Sequence, residues 1–168
     1  MSQSVGSLAA TITVSRLPDR SGNYVCDGTA DEVQINAALA YVNGLGGGEA
    51  LLLQGTYTLA APIVFPGGNL TLRGVGIGTF IDGDALTTGN HGIILSAVTE
   101  CTILDLAIQT EDGGTKTCHC IFIENGAVRF LIENVWIVAS DVNGIHIEGT
   151  DIYGGWIKDN YIARAEGV

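Results

Sequence analysis

A six-residue phrase recurs along the chain: aliphatic, any residue, Gly/Asp/Asn, mostly aliphatic, any residue, Ile. It reads Leu72-Arg73-Gly74-Val75-Gly76-Ile77, Ile103-Leu104-Asp105-Leu106-Ala107-Ile108, Ile132-Glu133-Asn134-Val135-Trp136-Ile137 and Ile157-Lys158-Asp159-Asn160-Tyr161-Ile162. Its starts lie 31, 29 and 25 residues apart (72, 103, 132, 157). A second phrase keeps step with it: His91-Gly92-Ile93-Ile94-Leu95, His119-Cys120-Ile121-Phe122-Ile123 and Asn143-Gly144-Ile145-His146-Ile147. Two phrases with nearly shared, drifting periods predict one structural unit repeated with loops of varying length.

Each phrase is short, aliphatic and broken by Gly, Asp or Asn, residues that tolerate positive φ where a chain bends. No amphipathic helix fits between the repeats, which argues against a βαβ sheet. Strands recurring at this interval without helices pair in parallel by coiling about a common axis, with like residues stacking at about 4.8 Å. The expectation is an all-β, right-handed parallel β-helix. Its inward columns are Leu72/Ile103/Ile132/Ile157, Val75/Leu106/Val135/Asn160 and Ile77/Ile108/Ile137/Ile162, with Ile93/Ile121/Ile145 and Leu95/Ile123/Ile147 from the second phrase. The corner column is Gly74/Asp105/Asn134/Asp159. The outward columns are Arg73/Leu104/Glu133/Lys158, Gly76/Ala107/Trp136/Tyr161 and Ile94/Phe122/His146.

Ahead of the repeats, the alternating Ala10-Thr11-Ile12-Thr13-Val14 predicts a strand, and Pro18 to Asn23 a polar turn. A helix near residues 29–43 follows, with Thr29 and Glu32 as a capping box. Val33, Ala37, Ala38, Tyr41 and Val42, with Ile35 and Leu39, form its apolar face. A solenoid's first coil exposes an apolar section and unpaired edges, and this helix is the obvious cap. The division is therefore residues 1–47 for strand and capping helix, and 48–168 for the coils. The chain stops soon after a repeat phrase without a visible C-terminal cap, so it is expected to be truncated or closed by another chain.

Composition narrows the picture. The 168 residues suit one domain, and 46% hydrophobic content is enough for a core. Glycine, at 24 residues, is about twice its usual ~7% share. Seven Lys and Arg against 18 Asp and Glu give a formal charge of −11, and no basic patch invites nucleic acid. No run approaches the ~18 apolar residues of a membrane span, and the start lacks the basic and apolar regions of a signal peptide. Cys118-His119-Cys120 lacks the usual metal spacing, so Cys26, Cys101, Cys118 and Cys120 are expected as buried free thiols; a Cys101–Cys118 or Cys101–Cys120 disulfide is the alternative.

The stretch Asp27-Gly28-Thr29-Ala30-Asp31, then Ile35-Asn36-Ala37-Ala38-Leu39, Gly46-Gly47-Gly48, Leu53-Gln54-Gly55-Thr56-Tyr57 and Leu70-Thr71-Leu72-Arg73-Gly74-Val75-Gly76 resembles the N-terminal module of pectate-lyase-like right-handed parallel β-helices. That superfamily includes polysaccharide lyases, glycoside hydrolases, epimerases and phage tailspike or tail-fibre proteins. The resemblance covers residues 24–80 and implies a fold more than an activity, because many activities follow the same cap. It implies an extracellular or virion-surface location and side-by-side trimers, with an end-to-end stack as the other geometry.

Trp136 and Tyr161 share an outward column and, with Glu133, are candidates for sugar binding or for a subunit interface. Phe122 and His146 lie in the apolar outward stripe and are interface candidates. Asp82 and Asp84, then Glu111 and Asp112, decorate loops; Asp141, Glu148 and Asp151 decorate later turns. Such carboxylates could act as acid and base on a glycosidic bond or hold Ca²⁺. Solvated surface charge is the simpler reading, and no cofactor is assigned. His91, His119 and Asn143 are expected to stack in one polar column. Two functions compete: a non-catalytic structural or carbohydrate-binding module of tail-fibre or tailspike type, and the N-terminal part of a polysaccharide lyase or glycoside hydrolase acting on acidic polysaccharide.

Overall fold

The repeat phrases fold as strand, bend, strand. The bends fall at Asp105, Asn134 and Asp159, with φ of 56°, 53° and 56°, a region that Asp and Asn enter more readily than other side-chain-bearing residues. The computed structural model describes residues 9–111 and 116–164. The chain opens with β1 (Ala10–Arg16), β2 (Tyr24–Cys26) and α1 (Glu32–Gly44). The coils then run through β3 (Gly48–Leu52), β4 (Gly55–Thr58), β5 (Ile63–Val64), β6 (Leu70–Arg73), β7 (Thr79–Asp82) and β8 (Ile93–Ser96). They continue as β9 (Thr102–Gln109), β10 (Ile121–Glu124), β11 (Leu131–Ala139), β12 (Ile145–Glu148), β13 (Trp156–Lys158) and β14 (Tyr161–Ile162).

These strands stack in parallel as a β-solenoid of about four turns with one short helix. One sheet runs β13-β11-β9-β6-β3-β1-β2, with β4, β7 and β14 joined beside it through β9 and β11; a second runs β12-β10-β8-β5. Because β1 pairs with β3 (Ile12 opposite Ala50), the N-terminal segment extends the same sheet as the coils. Among the described residues, no helix is long and apolar enough to cross a membrane.

The expected columns form, except at Val75 and Ile77 in the second coil, and Leu72 is in register with Ile103. Ile103, Ile132 and Ile157 are in register, as are Leu106 with Val135, Ile108 with Ile137 and Ile162, and Ile93 with Ile121 and Ile145. Leu72, Ile103, Ile132, Val135 and Ile137 are completely buried. On the final rungs Ile147, Ile157 and Ile162 keep register but are 48%, 44% and 51% exposed, since no later described rung covers them. Asn160 replaces an aliphatic residue in its column; its side chain accepts from the Val135 N–H (2.9 Å) and donates to the Ile132 carbonyl (3.0 Å).

The second coil departs from expectation. Val75 and Ile77 are 50% and 65% exposed, not core. Residues 74–78 bulge outward, and Ile81 takes the inward place opposite Ile108, with Phe80 outward opposite Ala107. Thr79 fills the buried place expected for Val75, and its hydroxyl donates to the Leu52 carbonyl (3.1 Å).

The helix caps the stack, although by other contacts than a capping box. Asp31, not Thr29, precedes its first turn and makes no side-chain cap bond. The Asp31 carboxylate instead accepts from Gly28 and Thr58 N–H groups (2.8 and 2.9 Å), and Glu32 accepts from the Ala60 N–H (2.9 Å). Asn36 accepts from the Val64 N–H and donates to the Pro62 carbonyl (2.9 and 3.1 Å). Edge groups that a preceding strand would have paired are thus satisfied by helix side chains. These contacts set which helix face turns inward: Ile35, Ala38, Leu39 and Val42 are buried, whereas Val33 and Tyr41, expected in the core, are 58% and 51% exposed.

Candidate functional site

Parallel register places Thr56, Phe80, Ala107, Trp136 and Tyr161 in one outward column. Four inter-strand steps give it a length of about 19 Å. Phe80 and Trp136 are half-buried and Tyr161 is exposed. Ala107 points outward yet is 3% exposed, so the larger side chains around it cover it and it forms a floor. At its Thr56 end the column meets an open groove of about 510 Å³, lined by Arg16, Leu17, Pro18, Asp19, Gln54 and Thr56.

Polar groups flank this column on both sides. Along the corner, Asn134 Nδ2 donates to Asp105 Oδ1 (2.7 Å), and beyond it Lys158 Nζ pairs with Glu133 Oε1 (2.7 Å). Glu133, expected beside Trp136 as a sugar ligand, is therefore held by the next rung. On the other flank, Gln109 Nε2 donates to Asp84 Oδ2 (2.9 Å) and Asp82 Oδ1 (3.4 Å). Burial, and then the Asp82 charge, raise the Asp84 pKa from its ordinary value, while the Gln109 hydrogen bond and Lys116 oppose the shift. Aromatic faces combined with a few fixed polar groups suit the alternating apolar and hydroxylated surfaces of a sugar chain.

The second outward column, Val64, Ile94, Phe122 and His146, lies on the other sheet. Beside it, His91 and His119 stack at 4.8 Å and His119 and His146 at 4.3 Å, with Phe122 against all three rings. The expected polar column is present: His91 Nδ1 accepts from the His119 N–H (3.2 Å), and His119 Nδ1 from the Asn143 N–H (3.3 Å). An acceptor Nδ1 requires the ring proton on Nε2 and a neutral ring. Burial, followed by the neighbouring imidazoles, lowers the His119 pKa to about 4 and also lowers that of His91. His146 Nε2 lies 3.3 Å from Glu148 Oε2. Phe122 and His146 thus belong to a different face from Trp136, Tyr161 and Glu133.

Of the loop carboxylates considered for chemistry, Glu111 pairs with Arg164 and Glu148 lies beside His146. Other acids also hold structure: besides Asp31 and Glu32, Glu49 pairs with Arg73 (2.8 Å) and Glu100 with Arg129 (3.0 Å). Asp112 lies outside the described residues, among which no group of three His, Cys, Asp or Glu side chains could hold a metal ion. All four cysteines are buried free thiols, without the alternative Cys101 disulfide. Burial pushes the Cys101 thiol up to about 11 and the Cys26 and Cys120 thiols up to about 12.

Phe80, Thr56 and Gln109 extend the face beyond the residues the sequence pointed to. The bulge before β7 hid Phe80. The pair Tyr57-Thr58 followed by Ile81-Asp82 was the only signal for its true register, and it is weak because the intervening corner changes length.

No protein-family model matches the chain, and no curated protein matches it. Among solved structures, the ORF18 protein of Geobacillus virus E2 is similar at 18% identity and a TM-score of 0.46, over 82% of this chain and 39% of that one. A Parabacteroides merdae protein provisionally described as a glycosyl hydrolase is similar at 14% identity and a TM-score of 0.34, over 76% of this chain and 88% of that one. The chain therefore spans about two fifths of the length of the phage protein. Both likenesses are too distant to assign a function.

Proposed function

We propose that this is a non-catalytic β-solenoid module, of the pectate-lyase-like type found in tail-fibre and tailspike proteins, that binds polysaccharide on its outer face. The observation that carries the reading is the outward column of Phe80, Trp136 and Tyr161 on one face, continuing past Thr56 into a groove. A ladder of side chains at one-strand spacing is a linear surface, and an extended polymer is the ligand whose shape fits it. The carboxylates engaged in ion pairs and backbone bonds favour a binding role over acid–base chemistry. Trp136→Ala and Tyr161→Ala test the reading by affinity electrophoresis through polysaccharide-containing gels: each should weaken retardation at least tenfold while leaving the circular dichroism unchanged. Retardation unaffected by both changes would place any binding elsewhere.

The second reading, part of a polysaccharide lyase or glycoside hydrolase, is favoured by one observation. Asp84, with its raised pKa beside Asp82, has the environment of a general acid. Reducing ends, or unsaturated uronates, released by the wild type and not by Asp84→Asn would establish it. On the binding reading the molecule works at a virion or cell surface, and copies associate side by side or end to end.

A further inference from the structure

The aromatic column stops against the N-terminal turn, and that stop decides which part of a polymer it can hold. We infer that the groove past Thr56 seats the terminal sugar of a polysaccharide chain, with the units behind it laid along Phe80, Trp136 and Tyr161. This rests on the binding reading above and adds the part of the chain that is recognised.

Beyond Thr56 the column has no further rung. Among the described residues β4 pairs only with β7, on the side of the remaining column. On its other side stand the end of β1 and the turn after it. Arg16 crosses to β4: its Nε donates to the Thr56 carbonyl (3.0 Å) and its Nη1 to the Leu17 carbonyl (3.2 Å). Two glycines make room for it. A Cβ on Gly55 would lie 2.8 Å from the Arg16 Cβ, and one on Gly28 would overlap Nη2. The turn itself is pinned. The Leu17 N–H donates to the Cys26 carbonyl (3.0 Å), the Asp19 N–H to the Arg16 carbonyl (3.0 Å), and the hydroxyl of buried Ser15 to the Asp19 carbonyl (3.1 Å). Leu17, Pro18 and Asp19 therefore form a fixed wall, and a chain lying on the column ends against it.

The groove before this wall has the size and chemistry for an end unit. Its volume of about 510 Å³ falls within the ~300–1,000 Å³ of small-ligand clefts. A terminal sugar carries one more free hydroxyl than an internal one, on the carbon that would otherwise be linked onward. A site that hydrogen-bonds such a hydroxyl discriminates strongly against units that lack it. Suitable groups line the groove: the Asp19 carboxylate, the Gln54 amide and the Thr56 hydroxyl. Asp19 is held in place by the Ser21 N–H (2.8 Å) and the Ser21 hydroxyl (3.0 Å). The Gln54 amide both donates and accepts, so it suits a hydroxyl in either role. An internal unit in the same place would drive the rest of its chain into Leu17 and Pro18.

The test is calorimetric titration of the full chain with linear polysaccharides: pullulan, polygalacturonate, alginate and hyaluronate, each as two fractions about tenfold apart in length. The inference expects at least one of them to saturate at one protein per polymer chain in both fractions. Gln54→Ala, at an exposed position, should weaken that binding about tenfold through the loss of one hydrogen bond, with unchanged circular dichroism; Trp136→Ala should weaken it as well. Borohydride reduction of the polymer then names the end: lost binding assigns the reducing terminus to the groove, and retained binding the non-reducing one, each in keeping with end recognition. Protein bound per chain that rises in proportion to length, and is lost in Trp136→Ala, would overturn end recognition while leaving the binding face intact. One protein per chain with no response to Gln54→Ala would overturn the assignment of the groove. Binding to none of the four would overturn the binding reading itself.

Discussion

Acidification tests the imidazole stack most directly. His119 Nδ1 accepts a backbone N–H from Asn143 at 3.3 Å, and its ring lies between those of His91 and His119's other neighbour, His146. A proton on Nδ1 would set donor against donor and add charge beside two further imidazoles; Glu148 opposes that effect only weakly. The folded-state pKa of about 4 lies below the ordinary 6.5. Below pH 6.5 the unfolded chain thus binds a proton that the folded chain refuses. The stabilisation is complete above pH 6.5, declines as pH falls towards 4, and changes no further below that. The full interval corresponds to a ceiling of about 3 kcal/mol, and solvent screening of a partly exposed ring reduces it to about 1–2 kcal/mol.

Urea unfolding at pH 7.5, 6.5, 5.5 and 4.5, for wild type and His119→Asn, measures it. Asn can accept the same N–H without titrating, so the variant should match wild type within about 1 kcal/mol at pH 7.5. The two curves should then converge, or cross, as pH falls to 4.5, because carboxylate titration is common to both and cancels in the difference. Parallel loss of stability in the two proteins would refute the assignment of Nδ1 as the acceptor that protonation destroys.

Three further outcomes follow from the packing. Ile132→Ala opens a cavity at a fully buried position between Ile103 and Ile157 and should cost about 2–5 kcal/mol by urea denaturation; a cost below 1 kcal/mol would show that the column is not tightly packed. Asn36→Ala removes the partner of the Val64 N–H and the Pro62 carbonyl, both at least partly open to water, and should cost about 0.5–1.5 kcal/mol, with faster hydrogen exchange at Val64; unchanged exchange there would contradict the edge-capping role. The four buried thiols should resist iodoacetamide at pH 8 until urea unfolds the chain, and rapid alkylation of the native protein would argue against their burial.

The solenoid was legible because its inward columns are nearly uniform: Ile103, Ile132 and Ile157 advertise their register without help from the turns. The stacked His91 and His119 were legible for the same reason, both heading the same phrase. Val75 and Ile77 misled because they match the phrase by residue type, while the longer corner that removes them from the core packs Gly74 where a Cβ would strike the Asp105 carbonyl. Sequence carries no direct sign of that contact. The helix shows the same limit. It is apolar nearly all round, so hydrophobic pattern could not choose its inner face; polar Asn36 and Glu32 chose it by bonding edge groups 28 residues further along the chain. The site was half visible: Trp136 and Tyr161 fell into one column, but Phe80 required knowing the length of the preceding corner.

That corner separates chain length from structural register. Between paired strands it spans residues 52–54 in the first coil and 74–78 in the second, but only Asp105 and Asn134 in the next two. The strand register resumes after each of the four, although Thr79 stands in an otherwise aliphatic column. Insertions at this point are thus nearly neutral for folding, yet they project beside the aromatic column and could reshape whatever rests on it. If the proposed binding role holds, a lineage carrying this scaffold could vary its ligand by lengthening one corner at a time, with the core held constant.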